Sequence, residues 1–359
     1  MVFTMLEAIS TSDFHLEGMF KHFADATARQ LREIDKIYQY GMSKGIRHVF
    51  IPGDISDTPH MKFATYMQLV MFFKKYDGII NSYYIGGNHD RSDVESTSCD
   101  FLKMIADHGF FKSFRIFLQP EQDRIDGTLV NFCAWPCYET MTEKEGCLNF
   151  AHVEYNGAIG DNGRPLKTKH EFRSHERDFT ISGHIHQYQY LKNKRAIFNG
   201  NPYQKNFGEA LPKGFVHFKA RTSKNTVDVK HRFIDNMPNF RLETVVVESP
   251  KDFARLKDDN NIRYKLLVAP DVLVPADLRL TYPNITGGIF NSETKKAAAN
   301  DDSPMVEQLG QVAQISRVKP TTGLNNWLAG EGFSKKEISM AKGMVKEAMN
   351  ELGISVGES

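Results

Sequence analysis

The feature that most constrains this fold is an alternation of short apolar runs and helical patterns between residues 5 and 108. The apolar runs at 5–10, 48–52 and 79–85 have the length of buried strands. A helical pattern follows each of them, at 20–44, 63–75 and 99–108. A strand–helix order repeated in this way is typical of an α/β core whose sheet is largely parallel.

The second half of the chain contains a different pattern, in which strand-like runs follow one another with few helices between them. These runs lie at 114–118, 129–135, 149–155, 178–184, 195–200, 214–219 and 226–234. We predict that they form a second sheet, either mixed or antiparallel. Helices outside the two sheets would bury both, which predicts a layered α/β sandwich over residues 1–235.

Three further segments are predicted after residue 235. Strand signals around a short helix candidate at 250–257 indicate a small α+β unit at 236–290, and the polar stretch 291–304 is typical of a linker. A tail at 305–359 contains a capping box, Ser334 to Glu337, before an amphipathic helix. Its apolar stripe either packs back onto its own domain or binds a partner helix. The stripe consists of Ile338, Ala341, Val345, Ala348 and Leu352.

The composition is that of an ordinary soluble globular protein, with 41% hydrophobic and 25% charged residues. The net charge of +1 provides no overall field that would attract nucleic acid, so any basic surface has to be local. The first residues do not resemble a signal peptide, and no apolar stretch approaches 18 residues. We therefore expect a cytoplasmic protein without a membrane partner.

Polar side chains follow the predicted strands where ligands bind in open α/β sheets, beyond the carboxyl ends. Together they provide two carboxylates, one amide oxygen and four imidazoles, a mixed nitrogen and oxygen set that suits a pair of divalent transition metals. Two such ions activate water and neutralise phosphate oxygens, so the set predicts phosphoester hydrolysis. The candidate metal ligands are Asp13, His15, Asp54, Asn88, His152, His184 and His186.

At these positions the chain resembles the calcineurin-like metallophosphoesterase superfamily, whose motifs are D-x-H, G-D-x-x-D, G-N-H-D/E, H and G-H-x-H. All five occur here in order, as DFH from Asp13, GDISD from Gly53, GNHD from Gly87, His152, and GHIH from Gly183. The resemblance implies a four-layer αββα sandwich. It also implies that Asp54 is shared by both metals.

The resemblance also assigns the individual roles. One metal would be held by Asp13, His15, Asp54 and His186, and the other by Asp54, Asn88, His152 and His184. The catalytic set would contain His89, as the acid or the group that stabilises the transition state. It would also contain Asp57, which with Asp90 would support the metal ligands or shape the loop.

A finer resemblance, to the SbcD-type nuclease subunits of DNA repair and recombination, lies in TSDFHLEG, GDISDT and FNGNPYQKNFGEALPKGFVHF. It implies manganese, with magnesium as the alternative, and DNA as the substrate. It also implies a small DNA-capping domain, and a C-terminal tail that docks on an SMC-like coiled-coil ATPase of the SbcC type. A homodimer is left open, and a phage-encoded member would act in the host cytoplasm. The chain departs from the family pattern at Phe14 and Ser56.

Two other functions are weighed against this one: a stand-alone metallophosphodiesterase for small nucleotides, and a non-catalytic scaffold on the same fold. The GNPYQKNFGE stretch and the C-terminal units count against the first, and the complete ligand set counts against the second. Four basic residues near the motifs either contact DNA phosphates or form a solvated turn. They are Arg91, Lys192, Lys194 and Arg195.

Overall fold

The computed structural model of this 359-residue chain describes residues 5–92, 95–141, 146–209, 212–223 and 225–291. Nearly all of the predicted linker and the whole tail at 305–359, with its apolar stripe from Ile338 to Leu352, lie outside the described residues. Within the described part of the chain, no helix combines the length and the apolar character needed to cross a bilayer.

The first part of the chain alternates strands and helices, as predicted. The elements are β1 Leu6–Ser10, α1 Ala26–Lys44, β2 His48–Pro52, α2 Phe63–Tyr76, β3 Asn81–Ile85, α3 Ser98–Asp107 and β4 Phe114–Phe117. The four strands are parallel neighbours in one sheet. Strands β1, β2 and β3 are buried on both faces, so each reads as a continuous apolar run and not as an alternation of apolar and polar residues.

Eight more strands follow: β5 Glu121–Ile125, β6 Thr128–Cys133, β7 Leu148–Ala151, β8 Phe179–Ser182, β9 Gln189–Leu191, β10 Ala196–Phe198, β11 Gly214–Ser223 and β12 Thr226–Asp235. They do not all join the second sheet. The first sheet has the order β12-β11-β1-β2-β3-β4, and the second has the order β5-β6-β7-β8-β10-β9. The prediction that every strand after residue 113 belongs to the second sheet is therefore wrong for β4, β11 and β12. The edge of β1 away from β2 pairs antiparallel with β11, a long-range contact that no local pattern encodes.

The two six-stranded sheets face each other across an aromatic core. Phe50 of β2 stacks on Phe150 of β7 with 3.9 Å between ring centroids, and Phe117 of β4 stacks on Phe132 of β6 at 3.8 Å. Such stacked pairs add to the free energy gained by burial alone. The predicted class, an α/β sandwich built on two large mixed sheets, is confirmed.

The outer layers of the sandwich differ in kind. On the first sheet, helix α1 buries Ile34, Ile37 and Tyr38, and the Tyr38 hydroxyl lies 2.8 Å from the Ser82 hydroxyl of β3. The outer face of the second sheet is covered by the irregular segment between β7 and β8. Side chains such as Phe172 from that segment join a core cluster with residues of β7 and β10.

A small sheet follows the sandwich. It contains β13 Arg241–Val247, β14 Ile262–Val268 and β15 Ile289–Asn291, which are parallel. A 3₁₀ turn, Pro250–Arg255, and the short helix α4, Leu278–Thr281, accompany these strands, and a separate core cluster lies among them. The backbone of Leu242 in β13 pairs with the Gln204 side chain at 3.0 and 3.2 Å.

The N-terminal end of α1 differs from the sequence prediction, because the helix begins at Ala26 and not at residue 20. The chain before it forms turns whose apolar side chains are buried by tertiary contacts. Phe23 packs on Phe240 at 5.4 Å, and the Arg263 guanidinium lies 4.2 Å above the Phe23 ring. The spacing of these buried apolar residues resembles that of a helix, so the predicted helix began too early. The predicted stop is present, because Gly45 caps α1 in the left-handed region with φ of 70°.

Candidate metal centre

The seven predicted ligands meet at the carboxyl ends of five strands, β1, β2, β3, β7 and β8. The Nε2 atoms of His15 and His186 lie 3.0 Å apart. The Oδ1 atom of Asn88 lies 2.8 Å from His152 Nε2 and 3.1 Å from His184 Nδ1. Asp13 joins the two groups, because its Oδ1 atom lies 4.0 Å from His186 Nε2 and accepts a hydrogen bond from the backbone N–H of His184 at 3.0 Å. The structure therefore brings all seven side chains into one cluster.

Asp54 lies between the two groups of histidines. Its Oδ2 atom is 3.6 Å from His15 Nε2 and 3.3 Å from His152 Nε2. Its Oδ1 atom accepts a hydrogen bond from the backbone N–H of His89 at 3.0 Å. This placement fits a carboxylate that two cations would share, the role that the resemblance implies for Asp54.

The backbone at the cluster is held in an unfavourable region. Four of the predicted ligands have positive φ angles: Asp13 at 56°, His15 at 42°, Asp54 at 55° and His184 at 81°. Non-glycine residues adopt this region at an energetic cost, and such residues concentrate at functional sites.

Glycines in the motifs make room for the ligands. Gly53 has φ of 93°, and a Cβ atom there would overlap the His152 ring. A Cβ atom on Gly87 would overlap the Asp54 carboxylate. The glycines of GDISD and GNHD therefore allow the backbone to lie directly against two predicted ligands.

Each of the four imidazoles is held through the ring nitrogen that points away from the cluster. The contacts are His15 Nδ1 to Asp57 Oδ1 at 3.3 Å, His152 Nδ1 to Pro52 O at 2.9 Å, His184 Nε2 to Glu154 Oε1 at 3.2 Å, and His186 Nδ1 to Glu209 Oε1 at 3.1 Å. A neutral imidazole that donates through one nitrogen presents a lone pair at the other. In all four rings the inner nitrogen faces a carboxylate or amide oxygen or another ring nitrogen, an arrangement that a proton or a cation satisfies. Histidine ligands of metals are oriented in this manner, so these residues fit a metal centre.

The electrostatics of the cluster favour a bound positive charge. Burial lowers the pKa of His15 and of His184 to about 4, so both rings are neutral at pH 7. Burial also opposes protonation of His152, but the adjacent Asp54 carboxylate outweighs it and raises the pKa to about 9. The negative charge that holds a proton on His152 is equally available to a divalent cation.

His89 and Asp57, the predicted catalytic residues, lie beside His15. The Nδ1 atom of His89 is 2.8 Å from the backbone carbonyl of Asp57, which directs Nε2 away from that carbonyl. The His89 ring meets the His15 ring edge-on at 4.7 Å. The Asp57 carboxylate contacts His15 Nδ1 and also the Lys205 ammonium, at 2.9 Å. Asp57 is thus positioned to orient a predicted ligand.

Asp90, which follows Asn88 and His89 directly, has a structural role beside those two residues. Its fully buried carboxylate accepts hydrogen bonds from the backbone N–H groups of Asp54 at 2.7 Å, Ser56 at 2.9 Å and Gly87 at 2.9 Å. It also accepts from the Ser56 hydroxyl at 2.9 Å, which gives a role to the serine where the family pattern has a bulky apolar residue. Asp90 therefore ties together the loops that follow β2 and β3.

Four supporting residues were not anticipated from the sequence as parts of the site: Glu154, Lys205, Glu209 and Asp161, whose carboxylate lies 2.7 Å from His186 Nδ1. Glu209 is buried, contacts His186, and forms an ion pair with the buried Lys213 at 2.7 Å. Lys205 Nζ lies 3.0 Å from His15 Nδ1. A signal was present for three of them, since Glu154 lies two residues after His152, and Lys205 and Glu209 lie within the GNPYQKNFGE stretch.

The four basic residues predicted to contact DNA lie outside the cluster, and three of them have protein partners. Arg91 donates to the carbonyls of Leu118 at 2.8 Å and Trp135 at 2.6 Å. Lys194 pairs with Glu171, and Arg195 donates to two backbone carbonyls. Lys192 is exposed in a 3₁₀ turn between β9 and β10.

Comparison with known proteins gives structural neighbours only. No family model and no curated protein matches the chain. An archaeal phosphodiesterase structure is 14% identical, with a TM-score of 0.31, over 64% of this chain and 99% of the other. A nuclease from Pseudomonas putida is also 14% identical, with a TM-score of 0.29, over 62% and 87%. GAP50, described as an anchor in the inner membrane complex of Plasmodium, is 9% identical, with a TM-score of 0.38, over 65% and 85%.

Proposed function

We propose that the chain is a metal-dependent phosphodiesterase of the calcineurin-like metallophosphoesterase superfamily, and that it cleaves DNA. Four imidazoles, each held by an acceptor on its outer nitrogen and arranged around Asp54, support this proposal most strongly. Two divalent cations, manganese before magnesium, fit this donor set. When bound, they supply an activated water and neutralise the charge that develops on phosphate.

The residues of the site have three roles: they hold the ions, donate a proton and orient the ligands. Asp13, His15 and His186 would hold one ion, while Asn88, His152 and His184 would hold the other, and Asp54 would serve both. His89 keeps its Nδ1 on the carbonyl of Asp57 and uses Nε2 to donate a proton to the oxygen that leaves. Asp57, Glu154 and Glu209 fix the ring planes of three ligands.

The finer assignment is to an SbcD-type nuclease subunit. In this proposal the small sheet acts as the DNA-capping domain, and its attachment at Gln204 places β13 next to Lys205, which touches His15. The tail would bind an SMC-like coiled-coil ATPase, and Lys192 and Lys194 would contact DNA phosphates together with Arg91 and Arg195. A homodimer and a location in the cytoplasm, or in that of a host, complete the proposal.

The test is cleavage of an end-labelled linear DNA duplex and of a single strand, each with manganese, with magnesium and with EDTA. Bis(p-nitrophenyl) phosphate provides a parallel small substrate. Cutting of DNA with manganese and none with EDTA is the expected result. Hydrolysis of the small ester with DNA untouched, even after the ATPase partner is added, would favour the small-nucleotide phosphodiesterase. Inertness toward every diester would contradict both and favour the scaffold.

A further inference from the structure

A strip of aromatic rings extends from the predicted ligand His184 to the protein surface. We call Trp135, Tyr138 and His170 the aromatic strip. Trp135 stacks beside the His184 ring at 6.0 Å between centroids and 15° between planes. Tyr138 meets Trp135 edge-on at 6.2 Å, and His170 lies 5.2 Å from Tyr138 at 32°. Trp135 is partly exposed, and Tyr138 and His170 are exposed. The metal centre is thus bordered on this side by aromatic surface open to solvent.

The backbone holds the aromatic strip in place. The Trp135 N–H donates to the carbonyl of Gly86, next to the Asn88 loop, at 2.9 Å. The backbone carbonyl of Trp135 accepts a hydrogen bond from the partly buried Arg91 guanidinium at 2.6 Å. The backbone carbonyl of Tyr138 accepts a hydrogen bond from the backbone N–H of Arg173 at 2.9 Å. A platform ordered before a ligand arrives loses little conformational entropy on binding.

A second contact connects the far end of the strip to the centre. The Glu154 carboxylate, which holds His184, also bonds the Thr168 side chain, and Thr168 lies two residues before His170. Lys169, between them, is exposed and forms no ion pair among the described residues. An aromatic surface and the exposed Lys169 therefore lie on the same side of the site.

We propose that Trp135 and Tyr138 form a stacking platform for one unpaired nucleobase beside the phosphodiester to be cleaved. This inference rests on the proposed phosphodiesterase function and specifies its substrate. A base has an aromatic face that stacks on exposed aromatic side chains irrespective of its identity. A paired base inside a duplex does not offer that face, so the preferred substrate is a single strand or a frayed end. Lys169 contacts a neighbouring phosphate of the same strand.

The first test measures binding by tryptophan fluorescence. The chain has two tryptophans, so Trp327→Phe leaves Trp135 as the sole emitter. In a chain that also carries His89→Ala, to slow turnover, and contains manganese, an oligothymidylate of about ten residues is expected to quench the emission. An oligomer of equal charge and length, with every base replaced by an abasic unit, is expected to bind without quenching. Equal quenching by both, or by neither, would overturn the platform.

The second test measures turnover and metal content in chains with an intact His89. Trp135→Leu should raise KM for the oligothymidylate about tenfold, and Trp135→Phe should restore most of the affinity. KM for the abasic oligomer should not change. Loss of bound manganese in Trp135→Leu would show that Trp135 only positions His184, and would overturn the inference. If the wild-type chain cleaves no diester, the proposed function fails, whereas base-dependent quenching is judged independently of turnover.

Discussion

The Nε2 atoms of His15 and His186 lie 3.0 Å apart, although 171 residues separate the two histidines in the chain. Their Nδ1 atoms point the other way, to the carboxylates of Asp57 at 3.3 Å and Glu209 at 3.1 Å. Burial opposes protonation of His186, but the carboxylates of Asp161 and Glu209 outweigh it and raise its pKa to about 10, so a proton occupies the contact that a cation would replace. The carboxylates thus hold both rings in the orientation that a metal ligand needs.

Replacing Asp57 tests whether this residue orients the His15 ring or takes part in the chemical step. Asp57→Asn removes the charge that holds His15, so we expect the affinity for manganese to fall by about 10- to 100-fold. Activity should return when manganese is raised to saturation. The measurement is activity as a function of manganese concentration, with exposed Asp228→Asn as the matched control. A loss that saturating manganese does not reverse would assign Asp57 to the chemical step.

Replacing His89 tests for a proton donor. Donation to the oxygen that leaves DNA accelerates the step by about 10² to 10⁴, so His89→Ala should lose that factor on DNA. Hydrolysis of bis(p-nitrophenyl) phosphate should fall much less, since p-nitrophenolate leaves without a proton. Metal content should not change, and exposed His60→Ala serves as the control. Equal losses on both substrates would refute the role as an acid.

Replacing Asp90 should destabilise the fold. Asp90→Ala leaves the buried N–H groups of Asp54, Ser56 and Gly87 without their acceptor, which we expect to cost about 3–5 kcal/mol of unfolding free energy. Asp90→Asn retains one acceptor oxygen and should cost less. Urea denaturation in EDTA measures both without a contribution from metal. A cost below about 1 kcal/mol for Asp90→Ala would contradict the structural role.

The buried pair Glu209 and Lys213 predicts how stability depends on pH. Burial raises the pKa of Glu209, but His186 and Lys213 outweigh it and lower the value from 4.5 to about 2. A depressed folded-state pKa contributes stability above pH 4.5 that is lost as the pH falls toward about 2. Glu209→Gln should lack this loss. It should also be less stable by about 3–5 kcal/mol near neutral pH, because Lys213 becomes an unpaired buried charge.

The double variant Glu209→Gln with Lys213→Met is the matched control for that pair. Removing both charges should recover part of the lost stability, as found for buried pairs replaced by apolar groups. Thermal unfolding at several pH values in EDTA measures the series. A wild type and a Glu209→Gln variant that lose stability in parallel between pH 4.5 and 2 would contradict the assignment.

Apolar runs in the sequence predicted the strands that are buried on both faces, but they did not predict polar strands or the pairing of distant strands. Strand β2 has its predicted bounds, since an apolar run buried on both faces is visible in the sequence. Strand β5, Glu121–Ile125, was missed because it is a polar edge strand whose residues are mostly exposed. The sheet to which β4, β11 and β12 belong depends on pairing between distant strands, so it was predicted wrongly.

The same division applies to the candidate site. The ligands were visible because motif residues follow strand ends, and the structure brings these residues together. Lys205 and Glu209 act through contacts with His15 and His186, 190 and 23 residues away in sequence. A supporting carboxylate or ammonium needs no fixed spacing from the ligand it holds, so only the folded chain identifies it.

The most direct test of the metal centre is the amount of manganese bound per chain, measured by elemental analysis after equilibrium dialysis. Wild type should retain two ions per chain. Asp54→Asn should retain no more than one, because Asp54 lies between the two groups of histidines. A wild-type chain that retains no manganese, or an Asp54→Asn chain that retains two ions, would contradict the account.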